Sequence, residues 1–230
     1  SVSAPYGKEC RSFWTVPEHH KLVGIDASGL ELRMLAHYMR DENYTNEILS
    51  GDIHTANMKA AGLTDRNQAK TFIYAFLYGA GPAKIGQIVG GGYKEGEKLI
   101  NSFLRNTPAL DSLKKRVAKF ASSGTLPSLD GRRLRVRSEH AALNTLLQGA
   151  GAVVMKQALV LLDDRLSTYN IPYKLVANVH DEFQIEVPEF FANNVGKAAV
   201  SAIREAGDVL ELRCPLDGEY NVGNNWAETH

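Results

Sequence analysis

KLVANVHDEFQIEV, residues 174–187, reads as two short apolar runs joined by a tight connection. KLVA leads in, QIEV leads out, and strand-forming residues bracket a two-sided turn, the pattern of a β-hairpin. The connection carries Asp181 and Glu182 side by side. Adjacent carboxylates at a hairpin tip repel, and no cationic residue lies within several positions on either side. Two negative charges kept there imply something positive held against them.

The rest of the chain sets the frame. Its 230 residues suffice for one large domain or two interleaved subdomains, and 44% hydrophobic with 23% charged residues is ordinary for a soluble globular protein. No apolar run is read as reaching the ~20 residues that span a bilayer, so no membrane partner is expected. SVSAPYGKEC at the start has no signal-peptide layout. Cys10 and Cys214 lie far apart without metal-ligand spacing, which points to a reducing, cytoplasmic setting. The 26 Lys and Arg balance the 26 Asp and Glu overall. Between residues 39 and 143, however, 16 basic residues stand against 10 acidic ones, and the flanking parts hold the reverse excess. A basic middle in an acidic frame suits a phosphate-gripping module on a metal-binding base, although solvated faces give the same split.

KLVGIDA (21–27) is a strand-forming run that ends at Asp26, followed by SGLELRMLAHYM, where Ser28 can cap a helix carrying Leu32, Leu35 and Met39. From 44 to 121 the periodicity is helical, broken by glycines and Pro108. GTLPSLDGRRLRVR (124–137) switches to turn chemistry and period-two alternation. A long apolar helix is expected over about 140–168, then the hairpin, then a helix near 189–206 and a strand-and-loop tail. Strands at both ends and helices between them predict an α+β fold, an antiparallel sheet with a helical insertion.

Alone, Asp26 reads as a helix cap. Paired with Asp181 from another strand it can converge on divalent cations ~3.5–4 Å apart. At an effective dielectric near 20, two carboxylates ~4 Å apart repel by roughly 4 kcal/mol, and a bound cation reverses that sign. The second signal is RNQAKTFIYAFLYG (66–79), a helix for which Thr64 is a plausible N-cap. At about 100° per residue, Arg66, Lys70 and Tyr74 fall within roughly 80° of one another on one face. Two cations followed by a ring can grip a triphosphate and stack on a base or sugar; the plain alternative is a solvated stripe beside a core tyrosine. Arg133, Arg135 and Arg137 alternate onto one face of a strand, which suits phosphate contacts or a charged, aggregation-resistant edge.

Taken together, DASGLELR (26–33), RNQAKTFIYAFLYG (66–79) and VHDE (179–182) closely resemble, in order, the three signature motifs of family A DNA polymerases, nearest to those of podophages. GDIHT (51–55), LDGRRLRVRS (129–138), HAALNTLLQGAGA (140–152) and NWAETH (225–230) fit the same group, and the resemblance covers residues 6–230. It implies a right-hand polymerase fold without thumb or exonuclease domain: palm over 1–38 and 144–230, with a helical fingers insertion over 39–143. The implied activity is template-directed addition of dNTPs to a primer 3′-OH on primer–template DNA, with two Mg²⁺ ions for which Mn²⁺ can substitute.

By the same resemblance, Asp26, Asp181 and the carbonyl of Ala27 hold the metals, and Glu182 is an accessory carboxylate near the primer end. Glu31 is the steric gate against a ribose 2′-OH. His54, Arg66 and Lys70 hold the triphosphate. Tyr74 stands where many bacterial relatives have Phe, which implies weak discrimination against dideoxynucleotides. Tyr78 packs beneath the templating pair. Asn144, Gln148 and His180 face the minor groove or primer terminus, where acceptors common to every correct pair test geometry without reading sequence. Arg137 and His140 are further DNA contacts, and His230 approaches the site.

The family begins earlier than this sequence does. A thumb, an exonuclease domain and a first palm segment precede this region in relatives, so an N-terminal polymerase half is an expected partner. Three origins fit: a fragment, one product of a split polymerase, or a spliced product in which Ser1 served as nucleophile. The connection from Ala121 to Leu129 is shorter than in phage relatives with a basic insertion there. Three rivals share parts of the pattern, of which a two-metal nuclease uses the carboxylates but does not explain the 66–79 helix. A single-subunit RNA polymerase shares the layout but not Glu31. A non-catalytic DNA-binding relic has no use for paired metal carboxylates.

Overall fold

The structure, a computed structural model, describes residues 4–230. In chain order it runs α1 (Gly7–Ser12), β1 (His20–Ala27), α2 (Leu30–Met39), α3 (Glu42–Leu49), α4 (Ile53–Ala61), α5 (Arg66–Leu77), α6 (Pro82–Ile88), α7 (Tyr93–Asn106) and α8 (Pro108–Ala121). The ribbon β2 (Thr125–Pro127) and β3 (Arg133–Arg135) follows, then α9 (Ala142–Thr168), β4 (Lys174–Val179), β5 (Glu182–Pro188), α10 (Ala192–Val209) and β6 (Gly218–Gly223). Two compact units emerge: the chain up to Leu30 together with Gly151–His230, and Glu31–Ala150.

The first unit is built on a four-stranded antiparallel sheet in the order β4-β5-β1-β6. Strand periodicity sorts its residues onto two faces. Val23, Ile25, Phe183, Ile185 and Val187 are buried, and α10 packs on β1 and β6 with buried Val195, Ala199, Ala202 and Ile203. Directly opposed residues share a face, so the other side carries Gly24 and Asp26 of β1 with Glu182 and Gln184 of β5. That face is where the chemistry collects.

The second unit is helical around a ring cluster: Phe103 meets Phe72 and Phe76 edge-on at 5.1 and 5.7 Å. Helices α6 and α7 touch backbone to backbone, because a Cβ built on Gly96 would sit 1.9 Å from the Pro82 carbonyl and one on Gly86 1.9 Å from that of Gly92. No side chain yields there. Gly96→Ala is therefore expected to lower stability by about 1–3 kcal/mol, against the helix-propensity gain of at most about 1 kcal/mol. A urea midpoint equal to or above wild type would contradict this packing.

Three expectations need correction. The cap of α5 is Asp65, not Thr64: its carboxylate accepts from the Asn67 and Gln68 amides at 2.7 and 3.4 Å, leaving Thr64 outside the helix. Arg137 lies beyond β3, which ends at Arg135, so the three arginines do not share one strand, although all are exposed. Finally, the helical segment Glu139–Thr168 is long and apolar enough to cross a bilayer by length and composition, contrary to the reading that no run qualifies. Its apolar positions do serve cores: Leu143, Leu146 and Leu147 are buried in the second unit, Val154, Met155, Ala158 and Leu162 in the first.

Candidate active site

The strand β1 delivers Asp26 to the polar face one residue before its end, with Glu182 directly across on β5 and Glu219 directly across on β6. Three carboxylates thus stand in a row over three adjacent strands, an arrangement that like-charge repulsion disfavours. The β4–β5 turn adds a fourth. His180 takes a left-handed backbone (φ 55°), and the turn is pinned to β1 by the Ala27 amide, which donates to the Asp181 carbonyl at 2.9 Å. Asp181 is half-buried beside this row.

The electrostatics follow. Partial burial, then the charges of Asp181 and Glu182, push the Asp26 carboxyl up from its ordinary 3.8 to about 6, with His230 pulling the other way. Burial, although Asp26 keeps an exposed flank, counts first because the carboxylate loses part of its hydration. Hard carboxylate oxygens in excess of local cations fit a Mg²⁺-type ion, and Asp26, Asp181 and the Ala27 carbonyl form a donor set of the right chemistry. Among the described residues no group of three or more His, Cys, Asp or Glu side chains is gathered for a metal. Two aspartates with a carbonyl fall below that count, and Mg²⁺ commonly completes its shell with substrate oxygens and water.

A raised carboxyl pKa has a definite sign in stability. Between about pH 4 and 6 the folded chain holds a proton on Asp26 that the unfolded chain has lost, so this group's contribution falls as pH rises through that window and is flat above it. Wild type is expected to lose stability relative to Asp26→Asn over that range in thermal melts. Mg²⁺ is expected to stabilise the wild type more at pH 7.5 than at pH 5. Parallel pH curves for the two proteins would contradict the crowding described here.

Glu182 is occupied. It is 6% exposed, Oε1 accepts from Trp226 Nε1 at 2.7 Å and from Gln184 Nε2 at 2.5 Å, and Oε2 pairs with His230 Nδ1 at 2.6 Å. Thr229 Oγ1 donates to Gln184 Oε1 at 2.8 Å. The segment 225–230 is thereby laid on the polar face. Gly24 is the seat, since a Cβ there would lie 2.3 Å from the Thr229 carbonyl. Sequence reasoning missed Gly24, Gln184, Trp226 and Thr229; a glycine inside a strand is the one signal that marks such close approach.

The remaining candidates lie in the second unit. Arg66, the first residue of α5, donates from Nε to Asp52 Oδ2 at 2.7 Å and from Nη2 to Oδ1 at 3.0 Å. Lys70 is exposed one turn on, and the Tyr74 ring lies 6.3 Å from that of His54. Burial, then Arg66 and Lys70, hold the His54 imidazole below its usual range, so it stays neutral near pH 7. Glu31, Tyr78 and Gln148 form a chain: Tyr78 Oη donates to Glu31 Oε1 at 3.2 Å and receives Gln148 Nε2 at 3.3 Å. Asn144 is half-buried on the same helix as Gln148, and His140 brings its carbonyl against Gly79, where a Cβ would sit 2.4 Å away. Arg133, Arg135 and Arg137 are exposed.

An antiparallel sheet lined with aspartates, interrupted in sequence by a helical unit carrying Arg66 and Lys70, is the palm-and-fingers fold of a polymerase. The chain belongs to DNA polymerase family A, whose model matches residues 1–228. It is 42% identical over 263 residues to the DNA-directed DNA polymerase of Enterobacteria phage T3 and 43% over 263 to that of Escherichia phage T7, covering 100% of this chain and 37% of each relative. DNA polymerase I, thermostable, of Thermus filiformis is 33% identical over 99% of this chain and 29% of its own length. Among solved structures, the POL domain of Pol1 from M. smegmatis in complex with DNA primer-template and dNTP matches with a TM-score of 0.87 at 22% identity, over 100% of this chain and 44% of that one. The chain spans little more than a third of the length of its phage relatives.

Proposed function

We propose that this chain is the palm and fingers of a DNA-directed DNA polymerase that extends a primer 3′-OH with dNTPs on a DNA template, acting with a further polymerase portion in the cytoplasm of an infected host. The observation that carries this reading is the crowding of Asp26 by Asp181 and Glu182 on one sheet face, in a chain that belongs to DNA polymerase family A. Palm corresponds to 1–38 and 144–230, fingers to 39–143.

Asp26, Asp181 and the Ala27 carbonyl would hold the Mg²⁺ ions. When bound, these supply Lewis-acid activation of the 3′-OH and neutralise charge on the attacked and leaving phosphates. The chain's own residues bind and orient. Arg66 and Lys70 grip the triphosphate, with His54 as a neutral hydrogen-bonding partner. Glu31, tethered by Tyr78, excludes the ribose 2′-OH, and the Tyr74 phenol lies alongside the sugar. Gln148, Asn144 and His180 test the nascent pair from the minor groove, and Arg133, Arg135, Arg137 and His140 hold the template strand. Catalysis on this account is positioning plus electrostatics.

The test is single-nucleotide extension of a labelled primer–template by the chain at high concentration, with Mg²⁺ or Mn²⁺ and each dNTP or rNTP in turn. Addition of only the complementary dNTP supports the reading. Preference for rNTPs would make it an RNA polymerase, and DNA binding without any addition would leave a non-catalytic relic.

A further inference from the structure

The carboxylate of Asp52 joins two helix starts. It accepts from the His54 and Thr55 amides at 3.1 and 3.3 Å and from Thr55 Oγ1 at 2.8 Å, which fixes it as the N-cap of α4. The same two oxygens take the Nε and Nη2 hydrogens of Arg66 at the start of α5. This is a side-on grip. A guanidinium has five N–H groups, and side-on pairing uses two along one edge. The second Nη2 hydrogen and one Nη1 hydrogen remain on the adjoining end of the guanidinium, the fork that matches phosphate oxygens, with the other Nη1 hydrogen beside it. A competitor for the phosphate site would sit on that fork; Asp52 does not.

We propose that Asp52 is a positioning residue for nucleotide binding: anchored on α4, it holds Arg66 so that the free edge of the guanidinium meets the triphosphate of the incoming nucleotide. The inference rests on the polymerase reading for the identity of the ligand. It accounts for a bidentate pair between half-exposed groups, which as a stability device is worth little. Its value is orientation, since a long side chain fixed beforehand loses less freedom when the phosphate arrives. The adjacent His54 joins the array, its Nδ1 buried and without a hydrogen-bond partner among the described residues.

The experiment reads equilibrium binding of a fluorescent dATP analogue with Mg²⁺, and separately KM and kcat for primer extension. Asp52→Asn and Asp52→Ser both keep a capping oxygen for α4 and lose the charged two-point grip. Each is expected to weaken nucleotide binding and raise KM about 3- to 5-fold, the scale of a half-exposed charge pair, with kcat within about twofold. In an Arg66→Ala background the same substitutions are expected to add nothing, because Asp52 acts through Arg66. Unchanged or tighter binding in both variants would overturn the inference, as would an equal loss in the Arg66→Ala background. A wild type that binds the analogue but extends no primer removes the polymerase reading alone, since the Asp52 comparison is read from binding. A wild type that binds no nucleotide overturns both.

Discussion

Replacing Asp181 with Asn is expected to lower template-directed nucleotide addition about a hundred- to a thousandfold, with Asp26→Asn close behind. Each substitution keeps the side-chain shape and removes one anionic ligand. Loss of a single well-placed electrostatic group in an active site typically removes about 3–4 kcal/mol of transition-state stabilisation, and each 1.36 kcal/mol is tenfold in rate. Stability should move the other way. Asp26 already carries the strain of Asp181 and Glu182 beside it, so neutralising either aspartate relieves repulsion in the ligand-free protein. Single-turnover extension together with a thermal melt without Mg²⁺ reads both effects. Lost addition with an unchanged or higher melting temperature identifies a charge kept for function. Activity within tenfold of wild type would remove these aspartates from the chemistry.

Local pattern made part of this protein legible. Residues 21–27 form a strand-forming run that ends at Asp26, and 174–187 are two such runs about a tight turn, so the sheet and its aspartates were readable, and the face shared by Arg66, Lys70 and Tyr74 follows from the helical period alone. Other features depend on contacts that no window contains. Asp52 and Arg66 are 14 residues apart, and Glu182 meets Trp226 and His230 across 44 and 48. Where Thr64 and Asp65 compete for one cap, both residue types are competent, and backbone geometry, absent from a sequence, decided for Asp65. Helix α9 gave a membrane-like signal because its halves are buried in different units, which spreads apolar residues around the helix instead of confining them to one stripe. The register of β1 between β5 and β6 was equally out of reach, and with it the row Glu182–Asp26–Glu219.

The two adjacent acids of the β4–β5 turn part company: on the proposed function Asp181 would hold metal, whereas Glu182 fastens the segment 225–230 to the sheet. Glu182→Ala is expected to lower stability by about 3–5 kcal/mol, the scale for breaking a buried, hydrogen-bonded ionic group by removing one partner. Trp226 Nε1 and Gln184 Nε2 lose an acceptor at a site that is 6% exposed, and each orphaned donor costs about 1–3 kcal/mol. For a chain of this size that corresponds to a drop in melting temperature on the order of 10 °C. Glu182→Gln retains an oxygen for Trp226 but loses the charge opposite His230, so its loss should be about half as large. Trp226 fluorescence provides the local readout: release of the segment moves its emission to longer wavelength before global unfolding in the Ala variant. If Glu182→Ala melts with wild type and leaves that emission unchanged, the segment is held by Gly24, Gln184 and Thr229 without it, and Glu182 belongs with the carboxylates that serve the chemistry.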